Sequence, residues 1–568
     1  MGRWLIRLLL SAVAAQATAI PEIVLQKDLH HGRVGGVACE SRECSAIGRD
    51  ILARGGNAVD ALVGTTFCVG VIGMYHSGIG GGGFAVVRDP SGEYEAVDFR
   101  EEAPLAAFED MFKDNEIASI VGGLAVAVPS EIRGLEYIHS KYGILPWRTV
   151  MQGAIHVAKN GFRVSNDTLY YMNDLISHGV TFLWDDPTWA EIFAPKGKLV
   201  TEGDLIIRKN YAETLSKIAE QGADVFYKGE IAKIIVDFVQ EKGGILTLDD
   251  MEDYQVLTRP VKSINYRGLN LHTIGAPAGG AVSLQILKIM EHFSPDDWES
   301  SMNLSTHRFA EAMRFAYGAR TKLGDPVFVL DDDVEAREAE MLDPERVEAI
   351  VQRISDERSH DPSYYNPDRL YAPDSHGTSH IVAADRSGMV ISLTTTVNLL
   401  FGAMIMEPKT GIIMNNEMND FSIPGVPNDF GFEPSPANYI RPRKRPLSSI
   451  APIIAEFPNG TFAAAVGAAG GSRIISTSAQ ALWHMLDHGM GAAEALAAPR
   501  LHDQLAPDRV VLERAFGDPV ARSLEGKGHN VVWMKGRISA AQGIRRAWDG
   551  TFEAASDPRQ LNSEGYAL

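Results

Sequence analysis

Side chains able to do chemistry gather between Thr378 and Arg473. They are Thr378 itself, Thr394-Thr395-Thr396 with Asn398, the run from Asn415 to Phe421, Arg445 to Ser449, and Gly467 to Arg473. These stretches supply hydroxyls, which are weak nucleophiles unaided, and two closely spaced carboxylates, Glu417 and Asp420. They also supply a glycine pair, Gly470-Gly471, just ahead of a helical pattern. Taken singly, each has a plain structural explanation as a threonine-rich strand, a turn, a loop or a helix start. Other chemistries lack a part. Gly78 to Gly83 is glycine-dense, but no Lys-Ser/Thr follows it as a phosphate loop requires, so a tight turn or close backbone packing is expected there. His376 and His380 stand four apart without an HExxH glutamate, and Pro373 and Gly377 argue against a helix. No G-x-S-x-G elbow is present. No metal and no cofactor are implied.

The elements that would position these residues follow from periodicity. The stretch 356–377 is rich in Ser, Asp, Pro, Tyr and His and predicts an exposed loop. Thr378 then opens a hairpin: Ser379 to Ala384, a turn at Asp385 to Gly388, and Met389 to Thr395. Both faces of these strands are largely apolar, so they belong between layers. Phe462 to Val466 predicts a further strand, and Ile474 to Leu486 a helix. Near the N-terminus, Ser45 to Ala53 has helical spacing. Asn57 followed by Asp60 resembles a capped start of a second helix running toward Cys68. Phe84 to Arg88 and Tyr94 to Phe99 flank a turn at Pro90 to Gly92. The middle, about 105–345, alternates helical patterns with Gly and Pro, and Glu311 to Arg320 and Ala336 to Ile354 are predicted helices. The proportions suggest layered α/β architecture.

The chain has 568 residues, 45% of them hydrophobic and 22% charged, ordinary values for a globular protein. Length alone would suggest about four domains, but nothing in the middle looks like a linker. A net charge of −20 disfavours phosphate backbones, so no nucleic-acid partner is expected. The basic run Arg441 to Arg445 is broken by Pro442 and predicts a solvated loop. Arg3 and Arg7, the apolar Leu8 to Ala15 and the small-residue site at Ala17-Thr18-Ala19 predict a signal peptide over 1–19. The uncharged stretch there is too short to span a bilayer. Three cysteines, Cys39, Cys44 and Cys68, allow one disulfide in an oxidising compartment. Sequons at Asn166, Asn303 and Asn459 matter if secreted proteins are glycosylated in the host.

Order and content together point to a family. The runs CSAIGRDILARGGNAVDALVGTTFCVG and SGIGGGGF (44–84), VDFREEAP (97–104), HGTSH, TTTVN, NNEMNDFS, SPANYI, PLSS, GAAGGSRI and the C-terminal ASDPR resemble γ-glutamyltransferases, in a eukaryotic-like spelling. The resemblance runs from about residue 30 to the C-terminus and is least distinctive in the middle. It implies a four-layered αββα sandwich of the N-terminal-nucleophile hydrolases, formed jointly by two subunits. One precursor would cut itself between Gly377 and Thr378, leaving a large subunit of 20–377 and a small catalytic subunit of 378–568 as a heterodimer. Thr378 would then be nucleophile and, through its freed α-amine with an intrinsic pKa of about 8, general base.

The same resemblance assigns the other roles. Arg100, with the hydroxyls of Ser448 and Ser449, would hold the α-carboxylate of a γ-glutamyl group, since a guanidinium fork can meet both oxygens. Asn398, Glu417 and Asp420 would hold its α-ammonium. Gly470 and Gly471 would form the oxyanion site, and Thr396 would hydrogen-bond Thr378. Cys44 and Cys68 would form the bridge seen in animal members. The segment Pro424 to Tyr439, including Phe430, resembles a lid over the pocket. The implied partners are glutathione and other γ-glutamyl compounds, with amino acid or dipeptide acceptors. The implied location is secreted, with cell surface or vacuole as variants. Two other readings stand beside this one. An amide acylase for a glutaryl-like side chain fits poorly with Arg100, Glu417 and Asp420, and a catalytically silent secreted interaction protein fits poorly with an intact Thr378.

Overall fold

The computed structural model describes residues 30–295, 302–329, 333–373, 377–428 and 431–568. The expected signal peptide, His376 and Phe430 lie outside them.

Two seven-stranded sheets form the centre. The strands of the two sheets, in chain order, are β1 (His30–Gly32), β2 (Gly35–Cys39), β3 (Gly82–Arg88), β4 (Tyr94–Phe99), β5 (Leu257–Arg259), β6 (Val261–Tyr266) and β7 (Leu269–Ile274). After Thr378 come β8 (Ser379–Asp385), β9 (Val390–Thr396), β10 (Ile453–Glu456), β11 (Phe462–Ala469), β12 (Ala540–Arg546), β13 (Phe552–Ser556) and β14 (Glu564–Ala567). The first sheet runs β14-β2-β8-β9-β3-β4-β5 and the second β1-β13-β12-β11-β10-β7-β6. All neighbours within them are antiparallel.

Alternation along β8 and β9 shows the layering. Ile381, Ala383, Ile391 and Leu393 join an apolar cluster with the helix α2 (Ala58–Ile72), itself flanked by α1 (Arg42–Ala53). Val382, Ala384 and Val390 face the other way, into a cluster shared with Ala464 and Val466 of β11. Beyond the second sheet lie α5 (Gly280–Met290), α6 (Met302–Arg320) and α7 (Arg473–Asp487). The helices α3 (Glu131–Tyr142) and α4 (Trp147–Asn160) complete the side of the first sheet. Helices therefore cover both outer faces, giving the αββα sandwich, with both faces of each central strand buried. Asn57 caps α2 in a reciprocal box with Asp60, and the Cys44–Cys68 disulfide ties α1 to α2. Cys39 stays free and buried, and burial pushes its thiol up to about 12.

Some expectations change. The helix predicted over Ala336 to Ile354 is two helices, Val334–Leu342 and Pro344–Val351. Asp343 breaks it, its carboxylate accepting from the N–H groups of Glu345 and Arg346, with Pro344 in the first helical position. The stretch after Asp356 is not wholly exposed. It contains the short helix Pro362–Tyr365 and the strand Leu370–Tyr371, and Tyr365 is buried. The basic run divides. Arg441 and Arg443 face solvent opposite Glu109 and Asp253, whereas Lys444 and Arg445 are buried. Arg445 pairs with Asp98 at 2.6 Å. No helix of the described residues is long and apolar enough to cross a membrane.

Candidate active site

β8 begins one residue after Thr378, and that start is pinned from several sides. Ser379 donates its hydroxyl to Glu40, whose other oxygen meets His76 and Gln560. The next residue, His380, is enclosed between the sheets. Its ring lies against Gly467 of β11, where a Cβ would come within 2.2 Å of it. It pairs with Thr394 at 2.8 Å, and burial lowers its pKa to about 3, so it packs between the sheets as a neutral ring. Ser392, opposite Val382 in the ladder, meets the Val466 carbonyl. The two strands thus run in opposite senses across the layers, which places the Gly470-Gly471 turn at the same end of the sandwich as Thr378. Gly470 and Gly471 have φ of +124° and +65° and join β11 directly to α7.

The adjoining strand brings Thr396 to the same end, since Ser379 pairs with Thr395. The Thr396 hydroxyl donates to the Gly377 carbonyl oxygen at 2.6 Å and accepts from the Asn398 N–H at 2.7 Å. In the continuous chain its partner is therefore the carbonyl of the residue before Thr378. Gly377 has φ +134°, and a Cβ there would come within 2.4 Å of the Asn398 carbonyl oxygen, so only glycine fits without displacement. Asn398, at φ +72°, donates its side-chain amide to the Asn416 carbonyl. That contact carries the threonine strand onto the loop bearing Glu417.

Behind this loop, the glycine run supplies close packing. A Cβ on Gly81 would come within 1.9 Å of the Thr396 carbonyl oxygen, and one on Gly83 within 2.0 Å of that of Thr394. The Asn415 side chain bridges the carbonyls of Gly80 and Ala127, fixing the start of the Asn415 to Phe421 run.

Arg100 follows directly on β4 and is 1% exposed. Its Nη1 lies 2.5 Å from Glu417 Oε1 and its Nη2 2.5 Å from Asp420 Oδ2, with Glu101 3.9 Å away. Burial opposes the guanidinium charge, but the Glu417 and Asp420 carboxylates overcome that and raise the Arg100 pKa. One cation serves three acids, so burial drives Glu417 well above the usual carboxylate range and Glu101 to about 7. Glu131, at the head of α3, accepts the Thr395 hydroxyl and is raised by burial to about 8.

Ser448 and Ser449 are buried on a separate segment. The Ser448 hydroxyl oxygen accepts from the Ile450 N–H, and Ser449 accepts from Arg320 at 3.0 Å. Asn438 joins this segment to the acidic loop, donating to the Asp420 carbonyl and accepting from the Leu447 N–H. The lid-like segment is tied in as well: Glu433–Pro434 pairs in parallel with Leu370–Tyr371, the strand leading to Gly377. A cavity lined by Tyr317, Arg320, Tyr371, Pro373, Ser472 and Gln504 opens beside the glycine turn. The structure thus joins Arg100, Glu417 and Asp420 in one group, and Gly377, Thr396 and Asn398 in another. The two serines are connected only indirectly. Glu101, Glu131, Glu40 and Asn438 were missed from sequence. The consecutive acids after Arg100 were the available signal for Glu101.

The sequence profile of the family described as Gamma-glutamyltranspeptidase matches residues 44–566. This chain belongs to that family. A protein of Arthroderma benhamiae called glutathione hydrolase proenzyme is 45% identical, over 99% of this chain and 98% of its own length. The crystal structure of a cephalosporin acylase from Bacillus halodurans superposes with a TM-score of 0.83 at 25% identity, covering 98% of this chain and 99% of that one. The Helicobacter pylori γ-glutamyltranspeptidase superposes with a TM-score of 0.53 at 32% identity, over 57% of this chain and 92% of that one. The chain is an enzyme with the fold of the N-terminal-nucleophile hydrolases.

Proposed function

We propose that the chain cuts itself at Gly377–Thr378 and that the exposed Thr378 transfers γ-glutamyl groups from glutathione and related donors to water or to an amino acid or dipeptide. The observation that carries the substrate class is Arg100 lodged between Glu417 and Asp420. An amino-acid head group has a carboxylate and an ammonium side by side. It could exchange partners with this cluster, its carboxylate taking Arg100 and its ammonium taking Glu417 and Asp420, with Asn398, Ser448 and Ser449 completing the pocket. The likeness to a cephalosporin acylase keeps an amide acylase in view, but a side chain lacking the ammonium would leave two buried carboxylates without a partner, which is costly.

In the self-cleavage, the Thr378 hydroxyl oxygen attacks the Gly377 carbonyl carbon, and the hydroxyl proton ends on the departing Thr378 nitrogen as the C–N bond breaks. Water then hydrolyses the resulting ester, giving a Gly377 carboxylate and a Thr378 bearing both free hydroxyl and free amine. The Thr396 hydroxyl, already on the Gly377 oxygen, is placed to stabilise the charge that develops there.

In turnover, the Thr378 amine takes the hydroxyl proton as the oxygen attacks the γ-carbonyl, then passes it to the leaving amine. The tetrahedral oxyanion falls to the Gly470 and Gly471 N–H groups. Water or an acceptor amine resolves the γ-glutamyl ester by the reverse sequence. Residues 20–377 and 378–568 form the two subunits. A predicted leader at 1–19 and the exposed sequon asparagines Asn166, Asn303 and Asn459 support export and glycosylation. Purified protein tests the reading: two bands on a denaturing gel, a new N-terminus reading Thr-Ser-His, and glutamate release or transfer to glycylglycine from a γ-glutamyl anilide. A single uncut chain with wild-type turnover would overturn it.

A further inference from the structure

Far from the acidic loop, α6 meets the turn that follows α8 (Gly517–Gly526). His307 and Glu311 stand four apart on α6 and therefore on one face. His529 comes to them from the far end of the sequence. His307 Nδ1 and His529 Nε2 are 2.8 Å apart, and His529 Nε2 is 3.8 Å from Glu311 Oε1. Their three ligand-type atoms all lie within 4.8 Å of one another, and the side chains of His307 and Glu311 are fully buried.

The hydrogen bonds around this group leave a buried carboxylate oxygen unmet. His307 Nε2 lies 2.7 Å from the Ser355 carbonyl oxygen, which can only accept, so Nε2 carries the proton and Nδ1 presents a lone pair to the group. Glu311 Oε2 accepts from the Tyr365 hydroxyl at 2.7 Å, whereas Glu311 Oε1 and His529 Nδ1 are buried without a hydrogen-bond partner. Leaving a buried carboxylate oxygen and an imidazole nitrogen unsatisfied is unfavourable in a protein interior. A cation at the centre takes Glu311 Oε1 together with the lone pairs of His307 Nδ1 and His529 Nε2, and leaves only His529 Nδ1, on the far side of its ring, without a partner. The Ser355 carbonyl on His307 and the Tyr365 hydroxyl on Glu311 are the outer contacts that orient ligands around bound metals.

We propose that His307, Glu311 and His529 hold a zinc-class divalent cation. Tetrahedral zinc with bonds of about 2.0–2.1 Å sets its ligand atoms about 3.3 Å apart, so the observed spacings need shifts of only tenths of an ångström to somewhat over an ångström. A water molecule takes the fourth position. The nearby opposing charges are Arg314, Arg308 and Lys527, and each is engaged elsewhere: Arg314 by Asp503 and Asp508 at 2.9 and 2.8 Å, Arg308 by the Asp356 carboxylate and Lys527 by the Asp356 carbonyl. Burial keeps both imidazoles below their usual range, neutral and available as ligands. His307 and Glu311 precede Gly377 and His529 follows Thr378. Given the self-cleavage proposed above, the ion clips the two pieces together at a point remote from the nucleophile. The site itself does not depend on that reading.

Because the ligands are buried, the ion enters as the chain folds. Full-length protein produced in zinc-supplemented medium is therefore dialysed against a weak chelator and its metal content measured. The expected result is about one zinc per chain, with Tyr365→Phe, which removes the hydroxyl that meets Glu311, Ser359 and the His360 N–H but no ligand atom, weakening retention about 10–100-fold, and His529→Leu abolishing it. Protein produced without zinc is expected to melt about 2–3 °C lower. Wild-type protein holding less than about a tenth of an equivalent, or variants holding as much as wild type, would overturn the proposal. Should the variants fail to fold, wild-type protein produced with cobalt decides it: intense visible bands of four-coordinate Co²⁺ support the site, and their absence refutes it.

Discussion

The Thr396 hydroxyl is the most informative atom to remove. Thr396→Val keeps the shape and β-branching of the side chain but deletes the donor that lies 2.6 Å from the Gly377 oxygen. If that oxygen becomes the oxyanion of self-cleavage, the loss is that of one preorganised donor, about 2.7–4 kcal/mol or about 10²–10³ in rate. That figure is already a difference between transition state and ground state, so the ordinary hydrogen bond in the resting chain need not be subtracted. A second loss adds to it. The Thr396 hydroxyl oxygen also accepts the Asn398 N–H, and Asn398 holds an unusual φ of +72° with its carbonyl against Gly377. Leaving that N–H unsatisfied costs about 1–3 kcal/mol of stability and loosens the wall against which the scissile bond is set. The full-length band should therefore persist at least about a hundredfold longer than in wild type when followed on denaturing gels after purification at low temperature. Circular dichroism would confirm that the fold is intact. Thr396→Ser, which restores the hydroxyl, should cut within a few-fold of wild type. Cleavage of Thr396→Val at the wild-type rate would refute the reasoning, and a Thr396→Ser as slow as the valine variant would assign the effect to the methyl group.

Other perturbations read different parts of the site. Thr378→Ala should give an uncut chain inert toward a γ-glutamyl anilide, and turnover near wild type would remove Thr378 from the chemistry. Asp420→Asn should raise KM for γ-glutamyl donors about tenfold or more while self-cleavage proceeds, because one ionic contact is worth roughly 1.5–3 kcal/mol; unchanged donor kinetics would contradict its role. Burial holds the Glu131 proton up to about pH 8, against an ordinary value of 4.5. The stability this proton contributes is fully present below about 4.5 and is lost as pH rises to about 8. Glu131→Gln, uncharged throughout, should flatten the fall in Tm between pH 5 and 8, and an unaltered slope would show that the carboxyl titrates normally. Replacing both Cys44 and Cys68 by Ala should cost about 3 kcal/mol by releasing a 24-residue loop in the unfolded chain, measured as a lower denaturant midpoint.

Local pattern carried much of the framework. The hairpin after Thr378 was legible because its strands are apolar on both faces and its turn has the Asp-x-x-Gly spelling, and β8 and β9 differ from expectation by one residue at their ends. The capping box of α2 was equally plain. The candidate residues came from motif order, since no periodicity says that Arg100 meets Asp420 across 320 positions. Where local pattern misled, long-range charge was the reason. Arg445 looked solvated within a basic run, yet its partner Asp98 lies near the end of β4, and only the assembled sheet reveals it. Glu131 and Glu101 were invisible for the same reason: a carboxyl acquires an unusual pKa from the burial around it, which the neighbouring letters do not encode.

The topology also explains how such a chain can survive being cut. Gly377 and Thr378 precede β8, so no ladder hydrogen bond spans the scissile peptide. The strands on either side of the cut are interleaved: β8 lies between β2 and β9, β14 pairs with β2, and β13 pairs with β1. Separating the pieces would strip the β2–β8, β9–β3, β2–β14, β1–β13 and β7–β10 pairings and expose both faces of strands that are wholly buried. Hydrolysis of one peptide bond supplies nothing to offset that. The proposed cut would therefore change the chemistry at Thr378 without loosening the sandwich, and the rigidity of its buried strand would keep the newly freed terminus in place.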